Sequence, residues 1–409
     1  MNQKTLIGLA VAALIALLAA IALNHANKPQ SEGSGEAVEY LAPGLREHIN
    51  DISKVIVTAG GNKVLATLQR GTTGWSLVEK GGYAVDTGKL REFLLKVSDA
   101  KLVEKKTANK DKYATLGVED VSAKDAKGLQ VELDGLAQPL KLIVGDPDAR
   151  GSRTFVRRVG EAQSWLASGL LSVEKNAADW LKKDLADIAA SRIAQVSITH
   201  ADGKTLRVYK DAQGDANFKL ADIPKGREAG PEYGINGLAS NLAGLRFDDV
   251  LPAKETAPDA KALKARYATF DGLVVDVSAW QKDGKDYAQF KASFDAVQAD
   301  KDIAAAQAKA KADFDAATAA AAKKDASAAD APVKPLAVSD PAKDRDDRIA
   351  KVNKEVTDLD ARFDAWTYVL PAYKYASIDK SIDDLLKPIE AKPAAKPANK
   401  VAAKSNKSG

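Results

Sequence analysis

Behind Lys4, the run from Leu6 to Leu23 reads LIGLAVAALIALLAAIAL, 18 residues without a polar side chain. As a helix it measures roughly 27 Å, close to the hydrocarbon thickness of a bilayer. No second run of this kind follows, and Asn24 to Glu39 is polar and contains Gly and Ser, as a flexible spacer does. The chain is therefore expected to carry one membrane anchor (residues 1–27), a linker (28–53) and a large folded body. Ala20-Ile21-Ala22 also fits a signal-peptidase site, so a cleaved secretory signal is the alternative. Either reading carries the body across the inner membrane, and the expected location is single-pass with the body in the periplasm. Orientation is weakly encoded, because Lys4 precedes the helix while His25 and Lys28 follow it.

Composition narrows the class of the body. Hydrophobic residues make up 45% of the 409-residue chain, enough to bury a core and long enough for two domains or two halves. Cysteine is absent, which excludes disulfides, thiolate zinc sites, a cysteine nucleophile and a lipid-modified cysteine. The formal charge of +4 sits wholly beyond Pro388, where five lysines face one glutamate. A neutral body is a poor match for nucleic acid, which selects clustered basic surface. The 389–409 segment is Pro/Ala/Lys low complexity and is expected to be disordered.

From Lys54 the pattern turns strand-like. Val55 to Thr58 and Val64 to Gln69 flank Gly60-Gly61-Asn62, and Trp75 to Val78 follows another Gly-rich turn. Asp86 then reads as an N-cap, with Leu90, Phe93, Leu94 and Val97 at helical spacing and Val85 and Leu90 placed as a hydrophobic staple. Strands Leu129–Leu133, Leu140–Val144, Thr154–Val159 and Ser164–Ala167 follow, and an amphipathic helix is predicted over Asn176–Leu185. A similar order recurs: Val196–Thr199, Thr205–Tyr209 and Asn217–Leu220, a short helix with Leu238, Leu242 and Leu245, then Leu273–Trp280, Tyr287–Ser293 and Trp366–Leu370, with a helix over Ser377–Leu386. Lys112 to Leu116 reads as echoed by Arg266 to Phe270. The expected fold is α+β: two duplicated halves of antiparallel sheet with packed helices, residues 54–190 and 191–388, behind one N-terminal transmembrane helix. An Ala/Lys/Asp-rich insertion at 295–362 has high helix propensity and few large apolar residues, and predicts two helices projecting from the sheet.

Chemistry-bearing constellations are sparse. His25, His48 and His200 share no metal-ligand spacing, and a lone strand-end His200 is more simply a packed or solvated residue. Asp146-Pro147-Asp148 lacks the further oxygen ligands of a calcium loop. No phosphate-binding glycine motif and no nucleophile elbow at Ser168 or Gly169 is present. Arg157 and Arg158 are adjacent on a strand and so face opposite sides. The five tryptophans read as core. No catalytic, cofactor-binding or metal residue is assigned, and no cofactor is expected.

The order of Trp75-Ser76-Leu77, Tyr83 to Asp86, Tyr113 to Gly117, Ile143 to Asp146, Phe155 to Arg157 and Asp179 to Leu181 resembles the family called domain of unknown function 4340 (DUF4340). The resemblance covers Lys54 to about Asp187 well and the second half more loosely, through Trp366 to Pro371. Members are encoded beside gliding-motility-type ABC transporters. The resemblance therefore implies a non-catalytic, membrane-anchored accessory component of such a system, with its permease and extracytoplasmic subunits as partners and protein or ligand binding as its mode of action. It supplies no catalytic residues. An envelope hydrolase acting on polysaccharide or peptidoglycan through paired carboxylates, or a structural spacer, is the alternative.

Overall fold

The computed structural model describes residues 39–322 and 332–388. The expected anchor (1–27), the first part of the linker and the lysine tail (389–409) lie outside the described residues. Among the described residues, no helix is long and apolar enough to cross a membrane.

Along the chain, a short α1 (Leu45–His48) precedes β1 (Lys54–Ala59), β2 (Lys63–Gly71), β3 (Gly74–Leu77) and β4 (Tyr83–Ala84). The turn out of β1 places Gly61 and Asn62 at positive φ, the conformation for which glycine and asparagine are suited. Helix α2 (Thr87–Asp99) begins where the cap was expected: the Lys89 backbone N–H donates to Asp86 Oδ1 at 3.0 Å. Val85 and Leu90 are both buried, as a staple requires. Next come β5 (Leu102–Lys105), β6 (Leu129–Asp134), β7 (Leu140–Pro147), β8 (Arg153–Arg158), β9 (Ser164–Ser168) and β10 (Asp184–Ala186). The predicted helix over Asn176–Leu185 is only a 3-10 turn, Ala177–Trp180, capped by the Asn176 side chain, before the chain extends into β10.

The remainder comprises β11 (Ile193–Thr199), β12 (Thr205–Tyr209), β13 (Lys219–Leu220), α3 (Glu232–Gly237), β14 (Leu245–Arg246), β15 (Asp249–Pro252), β16 (Leu263–Thr269), β17 (Leu273–Lys282) and β18 (Lys285–Phe294). Helices α4 (Ala296–Ala322), α5 (Leu336–Ser339) and α6 (Pro341–Phe363), β19 (Trp366–Val369) and α7 (Ala372–Ile378) complete it. The Ser377–Leu386 helix is thus displaced: α7 ends at Ile378, and a 3-10 turn, Ile382–Leu385, follows behind a Ser381 capping box.

The fold is mixed α+β with large antiparallel sheets. The described chain divides into two compact units, 39–64 with 91–173 and 65–90 with 174–388. In the first unit the strands run in the order β1-β6-β7-β8-β9-β5, and in the second β11-β16-β17-β18-β19-β15. The same order appears twice: in each, the edge strand beyond the last four strands (β5, β15) precedes those four in sequence. The expected echo of Lys112–Leu116 in Arg266–Phe270 is not part of this recurrence. Lys110–Thr115 is a 3-10 helix, whereas Arg266 to Thr269 lie in β16, which corresponds in position to β6.

Each unit buries one sheet face in the ordinary alternating way. In the second unit, Tyr267 on β16 faces the short helical turn after α3, where Asn241 Nδ2 donates to its hydroxyl at 3.0 Å. Helix α6 lies against this sheet, burying Val352, Leu359 and Phe363, with the Phe363 ring 5.3 Å from Phe290 of β18. The insertion therefore does not simply project: α6 is amphipathic, and its apolar stripe is part of the core. Helix α4 buries only Ala299 and Ile303, both near its start.

Candidate binding face

Three of the six sequence motifs, Tyr113 to Gly117, Ile143 to Asp146 and Phe155 to Arg157, come together in the first unit as a structural cluster. Residues 106–128 lay a loop across the outer face of the sheet. Tyr113, Val118 and Ile143 are buried together, with Leu116, Phe155 and Val159 packed around them. Arg157, only 3% exposed, points into this cluster, its guanidinium 4.6 Å from the Tyr113 ring centroid. It donates through Nε to the Val118 carbonyl at 2.9 Å and through Nη1 to the Glu161 carbonyl at 3.1 Å, and it pairs with Asp120. Two glycines let the loop lie this close. A Cβ at Gly128 would come within 2.0 Å of the Gly117 carbonyl oxygen, and one at Gly145 within 2.3 Å of that of Leu116. These three motifs thus converge on packing.

Arg158, on the opposite face as expected, holds the segment that enters the first unit. It donates to the carbonyls of Leu41 at 3.0 Å and Tyr40 at 2.8 Å and to the Glu39 carboxylate at 2.9 Å. The other residues weighed from the sequence are likewise accounted for locally. His48 bonds Asp51 at 2.7 Å, and His200 bonds Asp379 at 3.0 Å, both at exposed positions. Asp148 caps its own turn by accepting from the Ser152 N–H, which holds its carboxyl below the ordinary range. Trp180 and Trp280 are buried core. Among the described residues, no group of three or more His, Cys, Asp or Glu is arranged to hold a metal ion.

The second unit presents a different surface. Arg192 is held between Asp271, at 2.8 Å, and Glu355 of α6, at 2.9 Å to each carboxylate oxygen. The hydrogen bond to Glu355 leads in raising the guanidinium's affinity for its proton. These three residues line a cavity of about 300 Å³ with Asp302, Arg348 and Lys351. Burial, and then the nearby Asp271 carboxylate, raise the Asp302 pKa above its ordinary value. Asp302 also borders a larger groove of about 960 Å³ between α4 and the ends of β11, β12 and β16. Its floor includes Gln195, Tyr209, Arg266 and Phe270, and its helical wall carries Gln298 and Lys301.

The groove opens onto the outer sheet face. Register fixes which side chains stand in line across it. One row reads Arg207, Ser197, Arg266, Asp276, Lys291 over β12, β11, β16, β17 and β18. The neighbouring row reads Thr205, Thr199, Lys264, Ser278, Gln289. Lys264, Arg266 and Lys291 are exposed. At one end this face is closed by Trp280, Tyr287 and Val369, over which Leu251 and Ala262 pack. In the sequence Arg266 stands out only within an echo, Trp280 only as core and Val369 only within a motif, and no surface role is assigned to any of these residues. Their one-residue alternation with buried neighbours was legible, but the cross-strand alignment depends on strand pairing.

Residues 75–266 match the family model for DUF4340, a domain of unknown function. The match starts at the first motif residue, Trp75, and covers a little under half of the chain, which supports the family resemblance. No curated protein and no solved structure matches the chain at a significant level.

Proposed function

We propose that this protein is a non-catalytic accessory component of an ABC-type transport system, tethered to the membrane by its N-terminal segment and acting by binding from the periplasmic side. A duplicated α+β body suits that role. What carries the binding part of the reading is the contrast between the two units. Much of the outer face of the first sheet is covered by its own loop, with Lys141 and Glu132 paired to each other beside it, whereas that of the second carries exposed cations without such a partner beside a groove of about 960 Å³. The transporter part rests on the family resemblance. An affinity pull-down of the full-length chain from gently solubilised membranes tests it, with an exported form lacking residues 1–27 as control. Recovery of ABC permease and ATPase subunits with the full-length form is the expected result; recovery of the chain alone from both would sink the transporter reading.

A second reading, hydrolysis of an envelope polymer, draws on one observation: Asp302, with a raised pKa, shares a cavity with Asp271 and Glu355. Both of the latter are engaged by Arg192, which favours an architectural role for the cluster. Hydrolysis of a polysaccharide or peptidoglycan preparation by the wild type that vanishes in Asp302→Asn would establish the enzyme instead.

A further inference from the structure

In each unit the segment between the edge strand, β5 or β15, and the next strand packs over the outer sheet face. In the first unit residues 106–128 do this through Tyr113 and Val118. In the second the corresponding stretch, 253–262, is less than half as long; it packs over the Trp280–Tyr287 end, and its Thr256 carbonyl accepts from Thr367, which in turn accepts from Gln289. Beyond that end the rows stay open to solvent at Thr205, Lys264, Arg266 and Lys291, with Arg207, Ser197, Thr199, Asp276 and Ser278 half-buried between them.

Their chemistry is specific. In the Arg207 row, cations stand on β12, β16 and β18, every second strand, with Ser197 and Asp276 between them. At about 4.8 Å per strand they recur every ~10 Å, about the length of a disaccharide. Arg266 is oriented by Asp276 through contacts of 3.1 and 3.2 Å, and Arg207 lies 3.7 Å from Asp222. Among the described residues, Lys264 and Lys291 enter no ion pair. The face therefore keeps a net positive charge after its own carboxylates are counted. Between the cations, Ser197 and Ser278 and the hydrogen-bonded hydroxyl pair Thr199–Thr205 supply hydroxyl groups, which suit the hydroxyls of a sugar ring. Duplex nucleic acid is a poorer fit, with a phosphate roughly every 3.4 Å along each strand. A lipid surface is poorer still, because the two rows carry no large apolar side chain to insert.

We infer that this face binds an acidic polysaccharide carrying one carboxylate per disaccharide repeat, laid along the Arg207–Arg266–Lys291 row. This deepens the binding role proposed above and rests on it. The test is fluorescence polarisation with labelled hyaluronan oligosaccharides, whose repeat carries one carboxylate, against the detergent-solubilised full-length protein. Neutral dextran, polyphosphate and a thymidine oligomer serve as competitors. Saturable binding that weakens with salt and falls at least tenfold in the double variant Lys264→Gln/Lys291→Gln is expected. The first-unit variant Lys141→Gln should bind as the wild type does. Absence of hyaluronan binding, equal competition by dextran, stronger competition by polyphosphate or the oligomer, or insensitivity to the double variant would each overturn the inference. Wild-type protein that fails here but still recovers transporter subunits would overturn the polysaccharide assignment alone. Loss of the subunits with binding intact would overturn only the transporter reading.

Discussion

Arg157 and Arg158 are neighbours in sequence with separate tasks. Arg157 is buried against Tyr113 and satisfies the buried Val118 carbonyl as well as that of Glu161. Its replacement by Ala is expected to cost roughly 2–4 kcal/mol, read from urea unfolding, since a buried acceptor is orphaned as well as an ion pair lost. Arg158→Ala should leave global stability within about 1 kcal/mol but speed amide exchange at Leu41 and Leu102, whose N–H groups anchor residues 39–41 beside β5. Asp302 behaves differently again. Its folded-state pKa is raised, so between its ordinary value and that raised value the folded state holds more protons than the unfolded one. Stability contributed by the neutral acid is thus present at low pH and is lost as pH rises through that window. Asp302→Asn should therefore stabilise the protein at neutral pH and have little effect below the ordinary Asp range, which parallel melts at pH 7 and pH 3 would reveal; an opposite pH trend would contradict the burial argument.

At the scale of elements, what was legible followed from local rules. The Asp86 cap, the Val85–Leu90 staple and the alternation of β6, β16 and β18 are written within a few residues of themselves. Asp86→Ala should accordingly cost about 1 kcal/mol. The failures arose where tertiary packing overrode local pattern. Asn176–Leu185 has helical apolar spacing, yet the chain is drawn out into β10, which pairs with β14. The insertion's sparse apolar residues were read as too few to dock, yet Val352, Leu359 and Phe363 fall on one stripe of α6 and all are buried. Phe363→Ala should cost about 3–5 kcal/mol in thermal or urea melts; a near-neutral result would return α6 to solvent. The binding face was not legible, because Arg207, Arg266 and Lys291 are 25 or more residues apart in sequence and only strand register aligns them.

For the molecule as a whole, the recurring strand order supplies two sheets with unlike surfaces. One has much of its outer face covered by the 106–128 loop, and the other keeps Lys264, Arg266 and Lys291 exposed on its outer face. Binding through the second sheet is the central claim. A photo-crosslinking residue placed at Ser197, in the middle of the cationic row, tests it most directly in full-length protein in native membranes, with the same residue at Lys141 in the first unit as reference. Envelope adducts from position 197 that position 141 does not give are the predicted result. Equal adducts from both positions, or none from 197, would contradict it.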